Sequence, residues 1–142
     1  TRCDQLATYI VFDSPLVMLC DAPTAYRKEP ECTRFIAGLP VVADETRILQ
    51  GKMGEYIVTA RRVGEDWIVG GLTDWEARTV DLDLSFLPEG MFRAEIFCDG
   101  INADKKGEDY RHEYRDVKRE DRLKMQLAPG GGFAIRLKKN HN

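Results

Sequence analysis

The chain has 142 residues, with 21 Lys and Arg against 24 Asp and Glu, a net charge of −3, and 43% hydrophobic residues. This composition is typical of a globular domain and excludes a disordered chain, because apolar residues are plentiful. The weakly acidic balance argues against nucleic acid as the main partner. The longest apolar run, residues 16–20, is far too short to cross a bilayer, so no membrane partner is expected.

The first residue is Thr1 rather than Met, and apolar sequence follows almost at once. This start predicts a piece of a longer protein. It does not resemble a signal peptide, in which a charged region leads into an apolar stretch and a cleavage site.

The first forty residues predict a helix, a strand and a second helix. Residues 5–13 are apolar on nearly all sides, which favours a buried helix, and Ser14-Pro15 ends it. Residues 16–20 are apolar on both faces, as in a parallel strand that is covered on both sides. Pro30 suits the first turn of a helix whose apolar positions are Cys32, Phe35, Ile36 and Leu39. One parallel strand cannot form a sheet, so its neighbours must lie in another chain or in missing sequence.

From residue 41 onward the pattern predicts antiparallel β structure. Apolar Val80, Leu82 and Leu84 alternate with polar residues, as in a half-buried strand, and turn residues separate such runs. The predicted strands are residues 47–49, 55–62, 67–73, 79–86, 92–98, 114–118, 122–127 and 133–137. Short strands at this spacing indicate a sandwich. The predicted fold class is therefore mainly β, an antiparallel sandwich preceded by a helix–strand–helix segment.

The four cysteines, Cys3, Cys20, Cys32 and Cys98, contain no C-x-x-C pair, which argues against a zinc site. Three of them lie in apolar sequence, where a thiol behaves as a small buried hydrophobe. Buried thiols are therefore favoured over a disulfide.

No catalytic residue can be assigned from the sequence. His141 lies at the terminus, and His112 lies in a charged run that predicts a solvated loop and edge strand. No nucleophile elbow, zincin helix or phosphate-binding loop is present. Residues 129–132 (PGGG) precede a strand rather than a helix, and therefore predict a turn.

Residues 99–109 are rich in possible oxygen ligands, among them Asp99, Asp104 and Asp109. A calcium loop is one interpretation, but the spacing does not match a helix–loop–helix site. Turns built on Asp and Asn side chains are the other and simpler interpretation. No metal ligand is therefore assigned.

Four further residues are candidates for a site, and Trp67 and Trp75 could both stack on sugar rings. Trp67 lies in an alternating strand and is expected in the core, whereas Trp75 lies in a turn and could stack on a sugar ring, with a structural role as the alternative. Asp21 follows the predicted strand at residues 16–20, at the strand end where α/β folds build their sites, and Met18 shares its face. The other interpretation of Asp21 is a turn residue ahead of Pro23.

Six segments in fixed order resemble glycoside hydrolase family 97, which contains α-glucosidases and α-galactosidases. They are QLATYIVFDSPLVMLCDAPTAY, EPECTRFIAGLP, VVADETRILQGKMGEYIVTARR, WIVGGLTDW, AEIFCDGINAD and PGGGFAIRL. Together they extend over nearly the whole chain. Several segments in order are far more specific than any single motif.

The resemblance implies that this chain is only the tail of a protein several times longer. The domain order that the resemblance implies is an N-terminal β-sandwich, a catalytic (β/α)8 barrel and a smaller C-terminal sandwich. Residues 1–43 would be the end of the barrel, with its last strand and flanking helices, and residues 44–142 the C-terminal sandwich. Met18 and Asp21 would then lie near the substrate at the barrel mouth.

The family's catalytic and calcium-binding glutamates lie upstream, so none is carried onto a residue here. Calcium is thus implied for the full enzyme, and no cofactor for this piece. The resemblance also implies a periplasmic or secreted protein of glycan-degrading bacteria.

These observations lead to one main functional hypothesis and one alternative. The main hypothesis is the C-terminal fragment of an exo-acting α-glycosidase that hydrolyses terminal α-linked sugars, inactive alone and supporting the rest of the enzyme. Its partners would be the remainder of the parent enzyme and an oligosaccharide substrate. A fragment that exposes apolar helix faces is also expected to dimerise or swap. The alternative is a non-catalytic carbohydrate-binding module that uses Trp75.

Overall fold

The computed structural model describes residues 2–11, 30–37, 43–52, 54–100, 102–103, 105 and 109–140. These residues contain two helices and eight strands. They are α1 (Arg2–Val11), α2 (Pro30–Ala37), β1 (Glu45–Lys52), β2 (Tyr56–Val63), β3 (Asp66–Thr73), β4 (Arg78–Asp83), β5 (Phe92–Asp99), β6 (Tyr110–Val117), β7 (Arg122–Leu127) and β8 (Gly132–Lys139).

The strands form two antiparallel sheets of unequal size. The large sheet has the order β1-β2-β3-β8-β5-β6, and the small sheet contains β4 and β7. The last strand, β8, lies in the middle of the large sheet between β3 and β5. The antiparallel, mainly β fold class is thus confirmed.

The main core lies between the two sheets. From the small sheet, β4 contributes Val80 and Leu82, and β7 contributes alternate residues from Leu123 to Leu127. The facing surface of the large sheet contributes Val69, Ile96 and Ile135, among others. Trp67 is buried in this core, with its ring edge-on to Phe86 at 5.1 Å between centroids. The alternation of the strands therefore placed Trp67 correctly.

A second apolar layer covers the opposite face of the large sheet. Helix α1 buries Cys3, Leu6, Ala7 and Ile10, which recur at helical spacing, against a patch that includes Ile68, Phe97 and Ala134. The approach is close because Gly70 has no side chain. A Cβ added there would lie 2.8 Å from the Cβ of Ile10.

Several predicted boundaries need correction. Helix α1 begins at Arg2 rather than residue 5, and residues 12–13 of the predicted helix lie outside the described residues. Strand β4 ends at Asp83 rather than Phe86, because the Asp83 carboxylate accepts a hydrogen bond from the Ser85 N–H at 3.0 Å and turns the chain. Strand β6 begins at Tyr110, four residues earlier than predicted. Helix α2 begins at Pro30, as its position predicted. The predicted strand at residues 16–20 lies outside the described residues.

Candidate interaction surfaces

Of the three predicted site residues, one lies in the described part of the chain. Met18 and Asp21 lie outside it, and Trp75 lies in the turn between β3 and β4. No described helix is long and apolar enough to cross a membrane. Within the described residues, no three His, Cys, Asp or Glu side chains gather in a way that could hold a metal ion.

Two acidic residues of the stretch at 99–109, for which a calcium loop was one interpretation, accept hydrogen bonds from the backbone of turns. Asp99 is 5% exposed, and its Oδ2 accepts hydrogen bonds from the backbone N–H groups of Ala128 at 2.9 Å and Gly132 at 3.1 Å. Asp109 Oδ2 accepts one from the Asn102 N–H at 2.8 Å. Both carboxylates therefore bind backbone N–H groups of turns, as the simpler of the two interpretations predicted. The other acids of that stretch, Asp104 and Glu108, lie outside the described residues.

Helix α2 is attached to the large sheet by an aromatic contact and a backbone cap. The buried ring of Phe35 meets Phe97 edge-on at 4.9 Å between centroids. Arg136 of β8 donates from Nη2 to the Phe35 carbonyl at 2.9 Å, and its guanidinium lies 5.1 Å from the centre of the Phe35 ring. A positive group at a carbonyl near the end of a helix is favourable, because that end carries partial negative charge.

His112 lies at the same contact, and the prediction of a solvated residue is wrong. Its side chain is 11% exposed and stacks on Phe97, with centroids 4.2 Å apart and planes 9° from parallel. Nδ1 lies 3.1 Å from Glu31 Oε2 of α2, and Nε2 lies 3.0 Å from Glu95 Oε1 of β5. The ring therefore joins the helix to the sheet through both nitrogens.

Two tyrosines flank this histidine on the same face of β6. The Tyr110 hydroxyl donates to Glu31 Oε2 at 3.3 Å, and the Tyr114 hydroxyl donates to Glu95 Oε1 at 3.4 Å. The two-residue period of a strand puts Tyr110, His112 and Tyr114 on one side. That period is the sequence signal that could have revealed the cluster.

The turn between β3 and β4 presents Trp75 to solvent, with 87% of the residue exposed. Asp74 braces this turn: its Oδ1 accepts from the Glu76 N–H at 3.0 Å and lies 3.4 Å from Arg78 Nη2. The backbone bond to Glu76 and the Arg78 guanidinium hold the pKa of the Asp74 carboxyl below its usual range.

The β7–β8 turn braces the same segment from the other side. The Gly130 N–H donates to the Asp74 carbonyl at 2.6 Å, and the Thr73 N–H donates to the Gly131 carbonyl at 3.0 Å. Hydrogen bonds between the two turns therefore fix the backbone that presents Trp75 to solvent.

A groove of about 640 Å³ opens beside this turn. One wall is Ala77 and Arg78, which follow Trp75 directly, and another is Arg111 at the start of β6. Arg111 also hydrogen-bonds the buried Cys98 thiol, which raises the pKa of Arg111 further. Burial raises the pKa of the Cys98 thiol, against a smaller opposing effect of Arg111. Cys3 and Cys98 are both buried thiols, as predicted.

Comparison with known proteins gives the family. Residues 42–138 match the family described as glycosyl-hydrolase 97 C-terminal, oligomerisation. A retaining α-galactosidase of Bacteroides thetaiotaomicron is 56% identical over 138 residues, which are 97% of this chain and 21% of that protein. A probable retaining α-galactosidase of Streptomyces bingchenggensis is 30% identical over 92% of this chain and 19% of that protein.

The fold has solved relatives as well. A glycoside hydrolase family 97 enzyme of Pseudoalteromonas sp. strain K8, in complex with acarbose, superimposes with a TM-score of 0.95 at 38% identity, over 98% of this chain and 22% of that one. The chain spans about a fifth of the length of the curated relatives it matches. It belongs to glycoside hydrolase family 97 and contains the C-terminal, oligomerisation domain of that family.

Proposed function

We propose that this chain is the C-terminal part of an exo-acting glycosidase that hydrolyses terminal α-linked sugars, and that it supports catalysis without performing it. The α-galactosidase type is supported by the 56% identity to the Bacteroides enzyme of that name, a higher identity than that to the acarbose-bound structure. A retaining mechanism, taken from the same relative, needs two carboxylates about 5–5.5 Å apart. We expect them upstream of this chain.

The observation that carries the supporting role is the helix layer on the large sheet. Helices α1 and α2 precede the segment that matches the family's C-terminal domain, yet they pack tightly on its outer face. This arrangement is the one expected if residues 1–43 end the catalytic barrel and residues 44–142 form the next domain. The sheet then serves as the platform on which the preceding domain sits, with Met18 and Asp21 proposed near the barrel mouth.

Three acids of the sheet and of the helix on it are bound by other groups of the chain. Glu31 and Glu95 both contact the ring of His112, and Asp99 holds the β7–β8 turn. A carboxylate that is already bound in this way is poorly placed to donate a proton to a leaving group or to attack a sugar carbon. The proposal keeps calcium with the upstream part of the enzyme and places the full enzyme in the periplasm or outside the cell, both on family resemblance.

A carbohydrate-binding module is the second candidate function. The exposure of Trp75 favours it, because an exposed aromatic face can stack on a sugar ring. Calorimetry of the chain with galactosides and malto-oligosaccharides tests it. Binding heat that disappears in Trp75→Ala would support this candidate, and no heat at millimolar sugar would reject it.

Two measurements on the purified 142-residue chain test the main proposal. Incubation with nitrophenyl α-galactoside and α-glucoside should release no nitrophenol, and hydrolysis that copurifies with the chain would overturn the supporting role. Sedimentation velocity over a wide concentration range should show reversible self-association. A chain that stays monomeric throughout would contradict a role in oligomerisation.

A further inference from the structure

We infer that Trp75 and the groove beside it form the surface through which two copies of this chain associate, with each Trp75 entering the groove of the other copy. The inference rests on the proposed role in oligomerisation and names the site of that role. The groove is the cavity lined by Ala77, Arg78, Arg111 and residues 126–129.

Trp75 has the properties of an interface anchor. Among the described residues it is the most exposed large hydrophobic side chain, at 87%, ahead of Ile48, Tyr114 and Met91. Its turn is fixed by the Asp74 bonds and by the Gly130 N–H, so little conformational entropy remains to be lost on binding. Tryptophan is enriched among the residues that dominate binding energy at interfaces.

The projecting side chain and the groove lie on one surface patch. Ala77 and Arg78 line the groove and follow Trp75 by two and three residues. The Trp75 ring lies over the β7–β8 turn, where a Cβ added to Gly130 would be 3.8 Å from its Cζ3, and Pro129 of the same turn lines the groove. A two-fold dimer uses the same patch on both copies, which requires a projection and a recess side by side.

The charges around this patch are complementary to each other. Glu76 follows Trp75 directly; its side chain is 78% exposed and its Oε2 lies 3.5 Å from Arg78 Nη2 of the same chain. Arg111 lines the groove and is exposed. When Trp75 of one copy enters the groove of another, Glu76 moves with it toward the second copy's Arg111. Opposite charges that meet in this way orient an encounter and select its register.

A second copy explains the groove better than a sugar does. Sugar recognition needs polar groups that can turn to ring hydroxyls. Two of the three charged groups that line the groove are bound within the chain. Asp99 accepts from the Ala128 and Gly132 N–H groups, and Arg78 contacts Thr73, Asp74 and Glu55. A partner would therefore bind the groove mainly through apolar contacts, as in the centre of a protein interface.

A second recess, lined by Ile48, Ile57 and Leu72, is less suited than the groove beside Trp75 to bind a second copy. Residues Ile57 and Leu72 lie on the face of the large sheet that carries α1, as the strand register shows. The preceding domain is proposed to sit on that face, which leaves the Trp75 end of the sandwich for a second copy.

Sedimentation equilibrium of the 142-residue chain and of Trp75→Ala tests the inference. Loss of an anchor of this kind should raise the dimer dissociation constant about 30-fold or more. Met91→Ala is the matched control, because it removes another exposed hydrophobic side chain far from the groove. Met91 directly precedes β5, whereas Asp99 at the other end of that strand lines the groove. The control should leave the constant unchanged. Because Trp75 is exposed, its removal should not change the thermal unfolding of the monomer.

A charge exchange makes the test specific to this geometry. Glu76→Lys and Arg111→Glu should each weaken the dimer, and the two together should restore much of the lost affinity. Equal dimerisation of Trp75→Ala and the parent chain would overturn the inference while leaving the oligomerisation role intact. So would weakening by Met91→Ala, or sugar binding at Trp75 in a chain whose dimer survives Trp75→Ala. A parent chain that is monomeric at every concentration would instead contradict the oligomerisation role itself.

Discussion

Replacement of Asp99 by Ala removes the acceptor that fixes the β7–β8 turn to the end of β5. The carboxylate is buried and binds two backbone N–H groups, at 2.9 and 3.1 Å. A hydrogen bond to a charged acceptor contributes about 1.5–3 kcal/mol, and buried donors left without a partner add to the loss. We therefore expect the free energy of unfolding to fall by about 3–5 kcal/mol, a large part of the stability of a domain of this size.

Asp99→Asn separates the contribution of charge from that of geometry. The amide keeps one acceptor oxygen but adds two donors, so a loss of about 1–2 kcal/mol is expected. Asp81→Ala is the matched control, because Asp81 is an acid at a strand surface whose side chain is 49% exposed and lies 3.2 Å from Arg122. An exposed pair of this kind contributes about 0–1 kcal/mol.

Urea unfolding, followed by far-ultraviolet circular dichroism, measures all three variants. The order of destabilisation should be Asp99→Ala, then Asp99→Asn, then Asp81→Ala. If Asp99→Ala lies within about 1 kcal/mol of the Asp81 control, then the two turn hydrogen bonds do not stabilise the fold as argued here.

Three further changes test other contacts. Gly70→Ala should destabilise the chain by about 1–3 kcal/mol in urea unfolding, because its Cβ would meet Ile10 of α1 at 2.8 Å; Gly51→Ala, whose nearest neighbour would be 3.5 Å away, should be close to neutral. His112→Ala should increase hydrogen exchange at residues 30–37 and leave β2 unchanged, because the ring joins Glu31 of α2 to the sheet; unchanged exchange at α2 would contradict that role. The raised pKa of Cys98 lowers its thiolate fraction at any given pH. Peptide mapping should therefore find Cys98 unalkylated near neutral pH in the folded chain and alkylated in urea. Rapid alkylation in the folded chain would refute the buried placement.

The strands were predictable because their information is local. Val80 and Leu82 alternate with exposed neighbours, and the same alternation recurs from Leu123 to Leu127, so the two strands of the small sheet can be read directly. The order of the large sheet could not be read in this way. Strand β8 pairs with β3 and β5, which are distant in sequence, and the residues of β8 do not indicate which strands it pairs with.

His112 shows how a correct strand can still give a wrong site. Its neighbours in sequence are charged, which predicts a solvated edge strand, and the structure does place it on the edge strand β6. What the sequence could not show is that α2 lies over that edge and brings Glu31 to the ring. A tertiary contact between elements far apart in the chain overrode the local charge pattern.

The unequal sheets leave the two faces of the large sheet covered differently. Two strands cannot cover six, so the small sheet shields the middle of the large sheet and leaves a recess where β7 ends near β5 and β6, lined by Gln126, Leu127 and Arg111. The opposite face has no second sheet and is covered instead by α1 and α2, which come from the sequence before the domain. Helices α1 and α2 cover part of that face, and the recess beside Trp75 stays open at one end of the sandwich. The same asymmetry supports the proposed placement of the preceding domain on one face and of self-association at the Trp75 end. Loss of dimerisation in Trp75→Ala without loss of hydrogen-exchange protection in α2 would separate the two proposed roles.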